Sequence, residues 1–359
     1  MDRTQLIREL SEALGAPGDE RAVAELMAKR LAGKASVSGD RLGSVIFTKE
    51  GTAERPLIMV AAHMDEIAFM VKSITKEGFL RFQSVGYWLP QTVLAHRVVV
   101  KGSEGLVHGV IGATPPHARK GPDRDKEMIP LEEMLIDVGA PDKEAVEALG
   151  ISVGDFVFAE PSFVELAGGK RLMGKAFDDR VGCALLVELV EALHGIEHPN
   201  TVAAAATVQE EVGLRGARTA AQSIEPDLAI VLEGPPADDV PGMAKDDPQG
   251  ALGGGVQVRC FDPTMVVHGP LKDLVVDVAR EEGIPYQLVV RDSGGTDAGS
   301  IHLTGPGVPS IVLGVPVRYI HSHHSILDLD DYEATLRLLV ALAARLDEAA
   351  MVSLQAHRH

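Results

Sequence analysis

The sequence predicts an α/β protein whose mixed, largely parallel sheet is flanked by helices and interrupted by a small β-rich insertion. Three observations carry this expectation. Short apolar runs alternate with amphipathic stretches, the runs end in ionisable residues, and a Gly- and Pro-broken segment of a different period separates the first run from the rest.

In chain order, the start MDRTQLIRELSEALGAPGDE reads as a charged amphipathic helix closed by a turn. It lacks the apolar core of a signal peptide. The first buried strand is LIMVAAHMDE from Leu57, and the pattern recurs in VAAAATVQEE from Val202, LAIVLEG from Leu228 and VPSIVLGVPVRYIHS from Val308. Between them, residues 180–194 and 270–282 have helical spacing, as does the chain after Asp331; the last residues, LQAHRH, read as a frayed end.

From about Val71 to Glu165 the runs are short and alternating (FLRFQSVG, HRVVVKG, GLVHGVIG, GDFVFAE), as in a small β-barrel. The expected organisation is therefore a discontinuous domain of residues 1–70 plus 166–359 around an insertion of residues 71–165.

Composition narrows the function. A chain of 359 residues with 45% apolar and 24% charged residues can bury a substantial core. Its formal net charge of -18, without a basic stripe, argues against nucleic acid and anionic membranes as partners. No run of about 18 apolar residues suggests a membrane span. Two cysteines, Cys183 and Cys260, are too few for a disulfide framework. These features predict a cytoplasmic protein.

Chemistry-bearing residues cluster in five segments: His63 and Asp65 in AHMDE, Asp178 and Asp179 in AFDDR, Glu210 and Glu211 in QEEVG, Glu233 in LEG, and His321 in RYIHS. A single histidine or carboxylate pair at a strand end is usually structural. Taken together, carboxylates gathered at the carboxyl ends of buried strands repel one another and lose hydration, and cations relieve both penalties. Imidazole and carboxylate donors suit zinc, cobalt or manganese. Two such ions roughly 3.5 to 4 Å apart activate water and polarise a carbonyl. Glu210 and Glu211, being adjacent, should point apart, so that one can bind metal while the other serves as general base. The spacing does not say which.

AHMDE, AFDDR, QEEVGLRGA, RDSGGTDAG and VRYIHS, in this order, resemble the tetrahedral aminopeptidase and glutamyl aminopeptidase family of metallopeptidases, over nearly the whole chain. The resemblance implies a zinc-peptidase-like catalytic domain with an inserted PDZ-like or barrel-like domain. It implies that His63 and Glu233 hold one of two divalent ions, Glu211 and His321 the other, and that Asp178 bridges them. Glu210 becomes the general base, Asp65 orients His63, and Asp179 supports the turn. Many relatives have Asp where this chain has Glu233, and Pro where His323 and His324 follow Ser322; His321 rather than His323 is the expected ligand.

Thr296 and Asp297 read as helix caps, and the resemblance adds Asp297 as a substrate-binding residue beside the cleft. His96, His108, His117, His268 and His302 have no ligand-like company and read as structural or surface residues. The implied activity is release of N-terminal residues from short peptides, in a homo-oligomer of dimers assembled into a tetrahedral dodecamer. The chain's acidity favours a neutral or aliphatic first residue. A dinuclear carboxypeptidase or deacylase could use a similar constellation. A glycoside hydrolase needs two carboxyl groups but leaves the histidines unexplained.

Overall fold

The computed structural model describes residues 2–115, 118, 128–242 and 249–355. His117 and the tail after residue 355 lie outside these. Helices α1 (Arg3–Glu12) and α2 (Arg21–Arg30) lead into strands β1 (Ser36–Gly39), β2 (Val45–Lys49) and β3 (Leu57–His63). The Asp2 carboxylate caps α1 by accepting from the Gln5 N–H at 3.2 Å. Leu6, Ile7 and Leu10 of α1 are buried in the main core.

The chain then builds a closed barrel from β4 (Ala68–Ile74), β5 (Phe79–Val85), β6 (Arg97–Gly102), β7 (Gly105–Gly112), β8 (Leu135–Asp137) and β9 (Phe156–Ala159), in the order β4-β5-β8-β7-β6-β9. All its pairings are antiparallel. Closure leaves no free edge among these strands. Phe69, Leu80, Val98, Ile111, Ile136 and Val157 fill a core separate from that of the main sheet. The barrel begins before residue 71 because β4 follows β3 after only four residues, and its last strand ends at Ala159.

After helix α3 (Lys143–Ala148), which precedes β9, come β10 (Val164–Leu166), β11 (Arg171–Gly174), α4 (Phe177–Leu193), β12 (Thr201–Thr207), α5 (Arg215–Ile224) and β13 (Leu228–Glu233). The remainder is β14 (Val256–Asp262), β15 (Met265–Val266), α6 (Gly269–Glu281), β16 (Tyr286–Val290), α7 (Ala298–Ile301), β17 (Ser310–Gly314), β18 (Val317–Arg318), β19 (Ser325–Asp328), α8 (Leu329–Arg345) and α9 (Glu348–Gln355).

The main sheet has the order β1-β2-β12-β3-β13-β17-β14-β15, with β16 paired to β14. Its central strands β12, β3, β13 and β17 run parallel, while β2 and β14 flank them in antiparallel pairs. This is the mixed, largely parallel sheet expected from the apolar runs. Strand β12 shows how helices cover both faces. Val202, Ala204 and Ala206 join the core on the α4 side, whereas Ala203 and Ala205 pack with Ala217, Ala220 and Ala221 of α5. Alanine on both partners allows a close helix-to-sheet approach, and the period of two assigns alternate residues to opposite faces.

The fourth expected strand differs from its reading. Residues 308–322 do not form one strand ending in His321: β17 stops at Gly314 and β18 joins a second sheet, β10-β11-β19-β18. Pro316 stands between them and lacks the N–H needed to continue a ladder. His321 is therefore presented by a loop. Among the described residues, no helix is long and apolar enough to cross a membrane.

Candidate metal centre

His63 is the last residue of β3 and only 2% exposed. Its Nδ1 lies 3.0 Å from the Asp65 carbonyl oxygen, which accepts a hydrogen bond only when Nδ1 carries the hydrogen. The other nitrogen, Nε2, is 3.2 Å from Asp178 Oδ1. The Asp65 carboxylate is farther from the ring, 3.6 Å from Nδ1. Its two oxygens instead accept the backbone N–H groups of Glu210 and Glu211, each at 3.0 Å.

The Glu210–Glu211 turn follows β12, the parallel neighbour of β3. Gln209 enters it with φ of +57°, a left-handed conformation that costs a non-glycine residue energy and must be held by contacts. Glu20 supplies one contact, accepting the Gln209 N–H at 3.1 Å. Burial pushes the Glu20 carboxyl up to about 7 despite hydrogen bonds from the Gly18 and Gln209 backbone.

Asp178 and Asp179, joined by a cis peptide, have non-helical backbone at the entry to α4. Asp179 spends both oxygens on the backbone, accepting from Gly182 N–H at 3.0 Å and His63 N–H at 3.2 Å. Asp178 instead faces two imidazoles, with Oδ1 toward His63 and Oδ2 3.5 Å from His321 Nε2. His321 Nε2 is also 3.5 Å from Glu211 Oε1, and its Nδ1 donates to the Tyr87 carbonyl at 2.9 Å. His321 too has a positive φ, +55°. Glu233 ends β13 and is 6% exposed; its Oε1 is buried without a hydrogen-bond partner.

Among the described residues, two groups each bring their donor atoms within 4.8 Å of one another: His63, Asp178 and Glu211, and His63, Asp179 and Glu233. The second group names Asp179 where the sequence reading names Asp178. Both Asp179 oxygens accept backbone N–H groups, whereas the Asp178 oxygens face two imidazoles.

The electrostatics fit a cation. Burial raises the Glu210 and Glu233 carboxyls well above the ordinary range, with neighbouring acids adding to it, and lifts Glu211 to about 7. His321 is lifted to about 9 and His63 also rises, since Asp178 and the nearby acids outweigh the burial that opposes them. Burial works against Asp178 ionisation too, but hydrogen bonds from His321 and His63 hold its carboxyl below its usual range. The centre therefore gathers protons where a metal would replace them. The unpartnered Glu233 oxygen supplies the structural test of fit, because a buried carboxylate without a partner is costly unless a cation meets it.

Asp297 sits apart from the donor atoms. It is 1% exposed, accepts from Thr207 Oγ1 at 2.5 Å, and is raised to about 6 by burial. Neither it nor Thr296 caps a helix with its side chain, contrary to the sequence reading: Asp297 turns to Thr207, and Thr296 Oγ1 is buried without a partner. His323 and His324 do not join the donor atoms. His323 is buried and stacked on His96, and burial, then the proximity of His96 and His324, pushes it down to about 3.

Sequence reasoning missed several supports. Arg180, fully buried, donates to the carbonyls of Leu10, Ala13, Gly15 and Met64 and to Glu66, tying the N-terminal segment to the AHMDE turn. Lys175 bonds Glu66 at 2.6 Å through both carboxylate oxygens. Arg180 follows the DD pair directly, the one local signal that could have flagged it.

A small cleft at the centre is lined by Ile67, Trp88, Phe177, Asp178, Glu211 and His321. A larger groove is lined by Leu57 and Thr201, at the opposite ends of β3 and β12, and has none of these donor residues. It is remote from the chemistry.

The family profile described as M42 glutamyl aminopeptidase matches residues 43–338. The chain belongs to the M42 glutamyl aminopeptidase family. The glutamyl aminopeptidase of Lactococcus lactis subsp. cremoris is 37% identical over 86% of each chain. The lysyl aminopeptidase of Pyrococcus furiosus is 33% identical over 95% of this chain and 97% of that one. A TET aminopeptidase from the marine sediment archaeon Thaumarchaeota archaeon SCGC AB-539-E09 superposes with a TM-score of 0.96 at 42% identity, covering 98% of each chain. The TET1 peptidase of Pyrococcus horikoshii, which assembles into a tetrahedron or a large octahedral shell, matches at 0.85 and 32% identity over 96% of this chain and all of that one. Membership in the M42 family makes the chain a peptide hydrolase of the aminopeptidase type, as the sequence motifs implied.

Proposed function

We propose that the centre binds two divalent cations, zinc or cobalt, with manganese as an alternative, and releases N-terminal residues from short peptides. His63 and Glu233 would hold one ion and Glu211 and His321 the other, with Asp178 shared between them. The observation that carries this is the pair of Asp178 oxygens, each directed at a different imidazole. When bound, the ions lower the pKa of water and polarise the scissile carbonyl.

Glu210 is the general base. Burial raises its proton affinity, which suits a group that takes a proton from water and returns it to the leaving amine. Asp65 fixes the His63 tautomer through its carbonyl and holds Glu210 and Glu211 through its carboxylate. Asp297, one of whose oxygens accepts from Thr207, is the candidate substrate-binding residue beside the cleft. The acid-rich surroundings attract the cationic amino terminus and favour a neutral or aliphatic first side chain.

The barrel strands between Ala68 and Ala159 form the inserted unit, with a role in dimerisation or in covering the site, and the rest of the chain is the catalytic unit. Dimers assemble into a tetrahedral dodecamer in the cytoplasm; the Pyrococcus horikoshii relative supports the assembly. The test follows hydrolysis of an aminoacyl anilide during metal titration of stripped protein. Activity should return as two ions bind per chain and vanish when the substrate amine is blocked. Full activity without metal would overturn the reading.

A further inference from the structure

We propose that the stack of His96 on His323 is the positioning contact through which the barrel sets the loop carrying His321. The inference rests on His321 being a metal ligand, as proposed above.

The two imidazoles lie with ring centroids 3.9 Å apart and planes 14° from parallel. Lone pairs of parallel rings do not converge on one point, so the pair packs rather than chelates. His96 belongs to the barrel side: its carbonyl accepts the Ile111 N–H at 3.0 Å, and the Ala95 N–H returns to the Ile111 carbonyl at 2.9 Å. His323 also meets Trp88 at 5.0 Å. Trp88 in turn stacks on Phe69 at 4.6 Å and donates its indole N–H to the Ala68 carbonyl at 3.2 Å. A continuous series of rings thus runs from the barrel core to the loop.

The loop needs such an anchor. His321 holds a left-handed backbone, which an unsupported non-glycine residue leaves readily. The Tyr87 carbonyl orients its ring, but one hydrogen bond fixes neither the loop's height above Asp178 nor its distance from Glu211. His323, two residues on and 2% exposed, supplies the second point.

Metal-stripped wild type, His323→Ala, His96→Ala and His323→Phe are titrated with Co2+ by calorimetry and by the visible absorption of bound cobalt. Wild type takes two ions. Both alanine variants keep one ion's affinity and lose about tenfold at the other, the scale of lost ligand-supporting contacts. His323→Phe, which keeps the stack, binds like wild type. Undiminished binding of both ions by His96→Ala overturns the proposal, even if His323→Ala fails to fold. So does an equal loss at both ions, or a His323→Phe variant as weak as His323→Ala. Fewer than two ions in the wild type would overturn the dinuclear reading itself, and this inference with it.

Discussion

Asp65 binds the main chain of Glu210: its carboxylate accepts the Glu210 N–H and, with its other oxygen, that of Glu211, both at 3.0 Å. One side chain two residues beyond β3 thereby fixes the direction of the turn after β12. An Asp65→Asn variant places an amide against two N–H groups and can accept from only one of them. It should lose about 10- to 100-fold in metal affinity or in kcat/KM, measured by metal titration and steady-state kinetics. A wild-type value in both would show that the turn holds itself.

Glu210→Gln keeps the shape and removes the proton acceptor. The expected result is a fall in kcat of about 10²- to 10⁴-fold with both ions retained, checked by elemental analysis of the purified variant. Retained activity would refute the base assignment.

Glu233→Gln separates the cost of a buried carboxylate from its use. Its Oε1 has no partner and burial raises its carboxyl, so ionising it works against the metal-free fold. The metal-free variant should melt no lower than metal-free wild type. Metal at 100 times its dissociation constant stabilises a native protein by about 2.7 kcal/mol per site, and the variant should lose most of that at one site. Thermal melts with and without Zn2+ give both comparisons.

Lys175→Met breaks a buried ion pair and leaves Glu66 with Arg180, 3.3 Å away, and the Gly15 N–H at 3.4 Å. Removing one partner of such a pair costs about 3–5 kcal/mol, read from urea denaturation. Burial lowers the Lys175 ammonium to about 8, against the opposing pull of Glu66. Between about pH 8 and the ordinary lysine range near 10.4, the unfolded chain holds a proton that the folded one has released, so this group alone makes stability rise with pH. The variant should lose that rise.

The parts of the fold legible in the sequence were those governed by local period. The runs at Leu57, Val202 and Leu228 became parallel neighbours, and His63 and Glu233 stand at the last positions of β3 and β13. What escaped reading depends on main-chain groups brought together from distant segments. The Tyr87 carbonyl beside His321 leaves no mark in residue identity, and His96, unremarkable in its own segment, acquires a partner only when the barrel closes. Asp297 does stand at the position before α7, but its side chain makes no cap bond: one oxygen turns to a buried threonine from β12, a contact between distant segments.

The Tyr87 side chain is 66% exposed, while its carbonyl holds the His321 ring. Any amino acid placed there brings the same oxygen. Mutational drift can therefore reshape the surface beside the cleft, altering what peptides meet on arrival, while the grip on the imidazole persists through every exchange.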